Sequence, residues 1–260
     1  MDNLNEKDVL PLDRGCHVIG HHKETGIWAI EKAPGVLTHP NHNKSGKGSK
    51  KPRPLLRADY DLYKETYLWN DHLGNARKVY LVHRLDSATS GVILVCTNAE
   101  VSNVLKKAFQ EQKVSKTYHA IVRTNGPLKS THWHDKLFEI KEKGRVRVRW
   151  GNRGRDSITD VKLLQALPNH PFSLLRLKPK TGRTHQLRVQ CSKRGMPILG
   201  DRTYGDFGLN KKVAQKSKSN PLYLHATEIS LRIESPNNAG VALTFESPLP
   251  RYFRNLLSST

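Results

Sequence analysis

The chain has few of the residue patterns that hold disulfides or metals. Its three cysteines, Cys16, Cys96 and Cys191, are odd in number and far apart, and no two of them form a CxxC pair. These spacings exclude a disulfide framework and a cysteine-based zinc site. His83, His185 and His225 are likewise separated by long stretches and share no HExxH spacing. We therefore expect no functional metal.

Long apolar runs are also missing. No stretch approaches the roughly 18 apolar residues of a membrane helix. Residues 1–11 contain no apolar core of a secretory signal and no arginine of the kind found in mitochondrial presequences. A glycine-rich strand-to-helix loop, which would indicate a nucleotide-type cofactor, is absent too. We expect a cytoplasmic protein that needs no small-molecule cofactor and no membrane.

Acidic residues are scarce relative to basic ones. The chain has 44 Lys plus Arg against 23 Asp plus Glu, a formal net charge of +21 and a pI near 10.0. A field of this sign attracts polyanions. One alternative is a basic, soluble protein without a polyanionic partner. Another is binding to an anionic membrane surface, but no basic amphipathic helix is evident. The charge favours nucleic acid.

Periodicity predicts many strands and few helices. A capping box at Thr97 and Glu100, followed by apolar residues at helical spacing, predicts a helix to about Gln112. The predicted strands are Gly26–Ile30, Lys78–Leu85, Val92–Val95, Lys116–Val122, Arg145–Trp150, Leu174–Leu177, Leu222–Ala226, Ile229–Ile233 and Val241–Phe245. Because the strands follow no βαβ rhythm, we expect an α+β fold around a largely antiparallel or mixed sheet flanked by helices and loops.

The composition along the chain indicates one domain. Residues 1–20 are a polar lead-in, and 21–255 show no break of their own. Two segments rich in Lys, Asn, Gly and Ser, at about 40–54 and 210–220, are expected to be flexible basic loops.

The densest group of reactive side chains is the segment from His83 to Gly91. It lies between two predicted strands, so it is a loop held by a rigid scaffold, where sites tend to lie. From chemistry alone, Asp86 is a nucleophile, a general base, a metal ligand or a hydrogen-bonded turn residue.

A second cluster runs from Lys178 to Arg188. It turns at Gly182, and Thr184 is placed to cap a helix that reaches Gly195. A helix start beside Arg183 forms an anion site for a phosphate or for a carboxylate such as Asp86. The alternative is an ordinary basic surface turn.

Six segments, in order across about residues 20 to 250, resemble the motifs of the RluA family of pseudouridine synthases. His83–Gly91 matches the family's H-R-L-D-x-x-T-S-G block in full. The other five are Glu31–His39, Lys116–Ala120, Gly182–Val189, Gly195–Gly205 and Tyr223–Ala226. Glu31 stands where the family usually has Asn, and Gln190 where it usually has His. Both departures bear on substrate detail more than on the carboxylate chemistry.

The resemblance implies a pseudouridine synthase fold over 21–255 and a cofactor-free isomerisation of flipped uridines in ribosomal or transfer RNA. It implies that Asp86 is the catalytic carboxylate, Arg183 its guanidinium partner and Tyr118 the ring on which the uracil stacks. Arg84 is expected to hold open the space that the flipped base leaves. The RNA-binding candidates are His83, Arg84, Arg145, Arg147, Arg149, His185, Lys211 and Lys212.

The same resemblance sets further expectations. The roughly 20 residues before the first motif leave no room for an S4-type RNA-binding domain, so recognition falls to the catalytic domain, acting as a monomer. Two other classes of protein are alternatives. A non-catalytic RNA-binding protein has no use for a carboxylate facing a polyanion, and a methyltransferase needs a glycine-rich cofactor loop.

Overall fold

The computed structural model describes residues 10–40, 53–124, 128, 131–142, 145–167, 170–217, 220–234 and 240–258. Most of the predicted basic loop at 40–54 lies outside these residues. Within them, no helix is long and apolar enough to cross a membrane.

Strands outnumber helices in the described chain. The strands are β1 His17–His22, β2 Ile27–Lys32, β3 Val36–Leu37, β4 Arg53–Pro54, β5 Asp59–Asp61, β6 Thr66–Asn70, β7 Ala76–Leu81, β8 Ser90–Cys96, β9 Ser115–Arg123, β10 His132–Glu142, β11 Arg145–Trp150, β12 Arg155–Ala166, β13 Phe172–Pro179, β14 Leu224–Glu234 and β15 Gly240–Glu246. The helices are α1 Ala99–Gln110, α2 Gln186–Lys193, α3 Phe207–Ser217 and α4 Arg251–Leu257. The predicted α+β class is confirmed.

The chain divides into two compact units. One comprises Met1–Val114 with Ser230–Ser247, and the other Ser115–Ile229 with Pro248–Thr260, so that the division falls inside β14. The single domain expected over 21–255 stays a prediction.

The first unit is built around β8, in which all seven residues are buried. β8 pairs antiparallel with β2, from Ile27 opposite Cys96 to Lys32 opposite Gly91. It also pairs antiparallel with β7, which continues through β6 to β5. Burial on both faces explains why Val92–Cys96 reads as an unbroken apolar run.

In the second unit the strand order is β11-β10-β12-β13-β9-β14. The pairings from β11 through to β9 are all antiparallel. Leu137 of β10, Val148 of β11 and Val189 of α2 form one buried apolar cluster, which packs α2 on the sheet. The largely antiparallel sheet is confirmed.

Several sequence predictions need correction. The strands predicted at Leu222–Ala226 and Ile229–Ile233 are one strand, β14, which begins at Leu224, so that Leu222 and Tyr223 precede it. β10 and β12 were missed, since their buried positions include the polar side chains of Asp135, Ser157 and Thr159. On edge strand β11, Val148 is buried, whereas Val146 and Trp150 are exposed.

The predicted flexible loop at 210–220 is wrong for residues 210–217, which lie in α3. The side chain of Asn210 explains the order of this segment. It is buried, its Oδ1 accepts a hydrogen bond from the Gly200 amide at 2.8 Å, and its Nδ2 donates to the Asp201 carbonyl at 3.0 Å. The lysines that suggest disorder are also good helix formers.

Helix α1 begins one residue later than the capping box predicted. Asn98 is the N-cap, and its Oδ1 accepts hydrogen bonds from the amides of Glu100 at 2.9 Å and Val101 at 3.1 Å. Thr97 instead donates to the carbonyl of Gly26 at 3.2 Å.

Removing this cap is expected to destabilise the protein. Asn98→Ala should lower the free energy of unfolding by about 1 kcal/mol, because two amides of the first turn lose their acceptor. Chemical denaturation measures the change, with Asn103→Ala, at an exposed position inside the same helix, as the matched control. Equal stability of Asn98→Ala and wild type would contradict this assignment of the cap.

Candidate functional site

Asp86 lies in the connection between β7 and β8, as the sequence predicts. The segment 82–89 has no regular structure apart from a turn, in which the Asp86 carbonyl accepts a hydrogen bond from the Thr89 amide at 3.1 Å. The residue is partly exposed. A carboxylate is thereby held on a short loop between two strands of the core.

Buried hydroxyl groups fix the backbone directly before Asp86. Thr38 Oγ1 donates to the Leu85 carbonyl at 2.9 Å and accepts from the Leu85 amide at 3.2 Å. Tyr67 in turn donates its hydroxyl hydrogen to the Thr38 carbonyl at 2.8 Å. Thr38 and Tyr67 are both buried, so water does not compete for these bonds.

The buried side chain of Lys32 fixes the backbone directly after Asp86. Its Nζ donates to the carbonyls of Ala33 at 3.0 Å, Val36 at 2.8 Å and Ser87 at 3.1 Å. Burial lowers the pKa of Lys32 to about 8, although the nearby Cys16 thiol and Asp86 carboxylate raise it in part. Sequence reasoning did not single out Lys32, and the only signal for it was its place in the Glu31–His39 motif.

His83 supports the loop from the other side. Its Nε2 accepts a hydrogen bond from the Leu94 amide at 2.9 Å, and its ring stacks on Phe109 with centroids 4.4 Å apart. An accepting Nε2 requires a neutral ring with the proton on Nδ1. The predicted RNA contact of His83 stays a prediction; its observed role is to brace the loop.

Arg84 presents an unpaired cation beside Asp86. The residue is exposed and has no ion pair among the described residues. After burial, its charge is the main influence that lowers the pKa of the neighbouring His39 imidazole. A guanidinium in this position is free to contact a phosphate.

Tyr118 lies in the second unit, on β9, opposite Leu177 of β13. It is partly exposed. Its chain neighbours point to the opposite face, where Thr117 bonds Glu228 and His119 bonds Thr227. The Tyr118 side chain therefore lies on the same face of the strand as that of Lys116.

Arg183 follows β13 and is exposed. Its Nε donates to the Asp156 carbonyl at 3.2 Å, and its backbone amide donates to Gln186 Oε1 at 3.1 Å. Gln186 Oε1 also accepts from Thr181 Oγ1 at 2.7 Å, while its Nε2 donates to Thr159 Oγ1 at 3.0 Å. The turn that presents Arg183 is thus built on a buried glutamine.

A second buried glutamine extends this network. Gln190 Oε1 accepts from Thr159 Oγ1 at 2.7 Å, and Nε2 donates to Asp135 at 2.9 Å and to the Ser157 carbonyl at 2.9 Å. Asp135 also accepts from Lys193 and Arg194. Burial alone would raise the pKa of Asp135, but the bonds from Arg194, Lys193 and Gln190 lower it. Gln190 thus provides an amide with three hydrogen-bond partners at the position where the family usually has a titratable histidine.

The predicted cap of α2 is wrong. The helix begins at Gln186 and ends at Lys193, and its N-cap is His185, whose φ of 51° leaves no side-chain capping bond. Thr184 Oγ1 donates to Glu139 instead, at 2.5 Å. His185 Nδ1 lies 2.8 Å from the Tyr204 hydroxyl. The Gln186 side chain folds back onto the Arg183 amide, which precedes the helix.

The other RNA-binding candidates of the second unit lie on β11 and α3. Arg147 and Arg149 pair with Glu142 at 3.1 Å and 2.6 Å, and both are partly exposed. Such surface pairs contribute about 0–1 kcal/mol, so a phosphate can replace the carboxylate. Lys211 and Lys212 are exposed on α3. The side chain of Arg145 is outside the described residues.

The described residues bring together no group of three or more His, Cys, Asp and Glu side chains that could hold a metal ion. Cys16, which lies near Lys32, has its pKa raised by burial and is not a candidate thiolate ligand. The expectation of no metal stays a prediction.

Lys32→Met is expected to destabilise the Asp86 loop. Three carbonyls would lose their donor, so the free energy of unfolding should fall by at least about 2 kcal/mol near neutral pH. Denaturant titration measures the loss, and Lys23→Met, which removes an exposed lysine, should leave stability within about 0.5 kcal/mol of wild type.

The pH dependence of this difference has a definite sign. Between about pH 8 and the ordinary lysine pKa of 10.5, the unfolded chain retains a proton that folded Lys32 has released. Wild type should therefore gain stability relative to Lys32→Met as the pH rises through this window. A difference that is constant or shrinks would contradict the lowered pKa.

Comparisons with known proteins agree with the motifs. Residues 26–193 match the family described as RNA pseudouridylate synthase. Ribosomal large subunit pseudouridine synthase C of Rickettsia typhi is 39% identical over 185 residues, which cover 68% of this chain and 56% of that protein. tRNA pseudouridine synthase C of Yersinia pestis is 32% identical over 197 residues, covering 72% of this chain and 75% of that one. The chain thus spans little more than half the length of the Rickettsia relative.

Solved structures share the fold. Human RNA Pseudouridylate Synthase Domain Containing 4 superposes with a TM-score of 0.61 at 24% identity, covering 93% of this chain and 91% of that chain. Human RNA Pseudouridylate Synthase Domain Containing 1 gives a TM-score of 0.59 at 22% identity, with 94% of each chain covered. Both the predicted fold and the predicted resemblance are confirmed, and this chain belongs to the RluA-type RNA pseudouridine synthase family.

Proposed function

We propose that this protein is an RNA pseudouridine synthase that isomerises specific uridines of ribosomal or transfer RNA. The observation that carries the proposal is the complete block from His83 to Gly91, whose Asp86 lies on a loop fixed on both sides by buried hydrogen bonds. The names of the relatives point to ribosomal and transfer RNA, and the net charge of +21 suits either substrate.

The reaction assigns a definite task to Asp86. The bond between the sugar C1′ and uracil N1 breaks, the base rotates, C5 bonds to C1′, the proton on C5 leaves to solvent, and the freed N1 takes up a proton. An ionised carboxylate serves this exchange by attacking the sugar, by adding to the ring or by assisting a glycal-forming elimination. All three routes use the residues of this chain without a cofactor or a metal.

The rigidity of the loop supports this assignment. A carboxylate that must meet one atom of a flipped nucleoside benefits from a backbone that is already in place, because disorder in the reactive group raises the barrier. Leu85 and Ser87, the two chain neighbours of Asp86, are each tied to buried side chains of the same unit. The carboxylate itself is left partly exposed.

Tyr118 and Arg183 take the other two catalytic assignments. We assign the Tyr118 ring to stack on the flipped uracil, an interaction that contributes roughly 1–3 kcal/mol and offsets the few kcal/mol that flipping costs. Arg183 is assigned to pair with the negative charge of Asp86. Its fixed turn and exposed guanidinium support this role, because a carboxylate withdrawn from water needs a cation beside it.

The RNA is held by cations distributed over both units. Arg84 beside Asp86, Arg147 and Arg149 on β11, and Lys211 and Lys212 on α3 are all exposed or partly exposed. We assign these side chains to phosphates, and Arg84 also to the space vacated by the flipped base. The protein is proposed to act in the cytoplasm as a monomer.

The catalytic assignment is tested by tritium release from bulk RNA labelled at uracil C5, taken from cells that lack this gene. Wild type should release tritium, and Asp86→Asn should release no more than a sample without enzyme, because the amide is neither a nucleophile nor a base. RNA binding and thermal stability of the variant should match wild type. Release by Asp86→Asn at the wild-type rate would refute the role of Asp86.

The RNA-binding role of α3 is tested by the double variant Lys211→Ala/Lys212→Ala. RNA affinity should fall, and the slope of log Kd against log salt concentration should become shallower by about two, since each lysine that contacts a phosphate contributes about one. Fluorescence anisotropy with labelled bulk transfer RNA measures both quantities. An unchanged slope would show that these lysines do not contact the RNA.

A further inference from the structure

Lys116 lies near Tyr118, the residue assigned to stack on the uracil. The proposed mechanism gives Lys116 no role. It lies on β9 two residues before Tyr118. Side chains at this spacing point to the same face of a strand, about 7 Å apart along it. The side chain of Lys116 therefore extends from the face that carries the Tyr118 ring.

The ammonium group of Lys116 lies against the turn that presents Arg183. A Cβ placed on Gly182 would be 3.6 Å from Lys116 Nζ. The ammonium therefore lies beside Gly182, the residue directly before Arg183. Lys116 and Arg183, together with Tyr118, approach one region of the second unit from β9 and from the turn after β13.

Lys116 is only partly exposed, yet its Nζ has no hydrogen bond or ion pair within the part of the chain that the structure describes. Burial lowers the pKa of Lys116, and no carboxylate offsets this effect. Other shielded lysines of the molecule are paired: Lys32 bonds three carbonyls, and Lys193 bonds Asp135 at 2.6 Å. Lys116 lacks any such compensation.

A cation that is partly shielded from water without a counterion is unfavourable, and an anion that joined it in a complex would relieve this cost. The anions of RNA are its phosphates. A phosphate bound at Lys116 would belong to a nucleotide whose base lies within reach of Tyr118, because both side chains project from one face of the strand. An ammonium, unlike a guanidinium, binds such a group as a compact point charge.

We infer that Lys116 is a substrate-binding residue that takes a phosphate group next to the uridine whose base stacks on Tyr118. This inference rests on the proposed function. The surface cations contact RNA outside the site, whereas the contact with Lys116 is made only by a nucleotide that is drawn into the site. Losing it should therefore weaken productive binding more than losing any single exposed lysine.

The test compares Lys116→Met, Lys116→Arg and the control Lys107→Met, which removes the same charge from the exposed face of α1. Tritium release from labelled bulk RNA gives kcat and KM at a series of salt concentrations. Lys116→Met should raise KM roughly tenfold with little change in kcat, and its slope of log KM against log salt should be shallower by about one. Lys116→Arg should restore most of the affinity, and Lys107→Met should behave as wild type.

Two results would overturn the inference: an unchanged salt slope for Lys116→Met, or a loss confined to kcat, which would indicate a contact with the uracil instead of a phosphate. Thermal melting separates either result from misfolding, and Lys116→Arg keeps the cation if the methionine variant is unstable. Should wild type release no tritium, the proposed function fails, whereas the salt slope of RNA binding by Lys116→Met still decides whether Lys116 contacts phosphate.

Discussion

Three hydrogen bonds from one buried ammonium hold together the part of the first unit on which the chemistry depends. Lys32 ends β2, and its Nζ joins the turn at Ala33 and Val36 to Ser87, 55 residues later in the chain. The Gly35 amide donates to the same Ser87 carbonyl at 2.7 Å, which requires the turn and the loop to lie side by side. Asp86 lies between Ser87, whose carbonyl accepts these hydrogen bonds, and Leu85, which is hydrogen-bonded to Thr38. Without these contacts, a connection that has little regular structure would sample many conformations, and the carboxylate would rarely be in position.

In the second unit, two neutral buried side chains hold the turn that presents Arg183. Gln186 and Gln190 are buried amides that both donate and accept without adding a charge of their own. Gln186 joins β12 to the turn of Arg183, and Gln190 joins β12 to β10. Arg183, the cation that this scaffold presents, stays exposed. The imidazole that the family usually has at position 190 would titrate near neutral pH, whereas the Gln190 amide carries no titratable group.

The elements that sequence predicts well are those whose pattern reflects their surroundings directly. β8 is an apolar run because it is buried on both faces, and α1 repeats its apolar residues at helical spacing. The predictions fail where a polar side chain is buried by a partner far away in the chain. β10 and β12 carry Asp135 and Thr159 inside, and Asn210 orders a helix in a lysine-rich segment. Motifs located Asp86, Tyr118 and Arg183, but they did not reveal what Lys32 and Gln190 bond.

The most direct test of the central claim is a carbodiimide-based map of pseudouridine in ribosomal and transfer RNA from cells with and without this gene. We expect that one or a few uridines lose their modification in the deletion strain. The wild-type gene should restore them and a gene encoding Asp86→Asn should not, although the variant protein is folded and binds RNA. Identical maps from the two strains would contradict the proposed activity, and restoration by Asp86→Asn would contradict the catalytic role of Asp86.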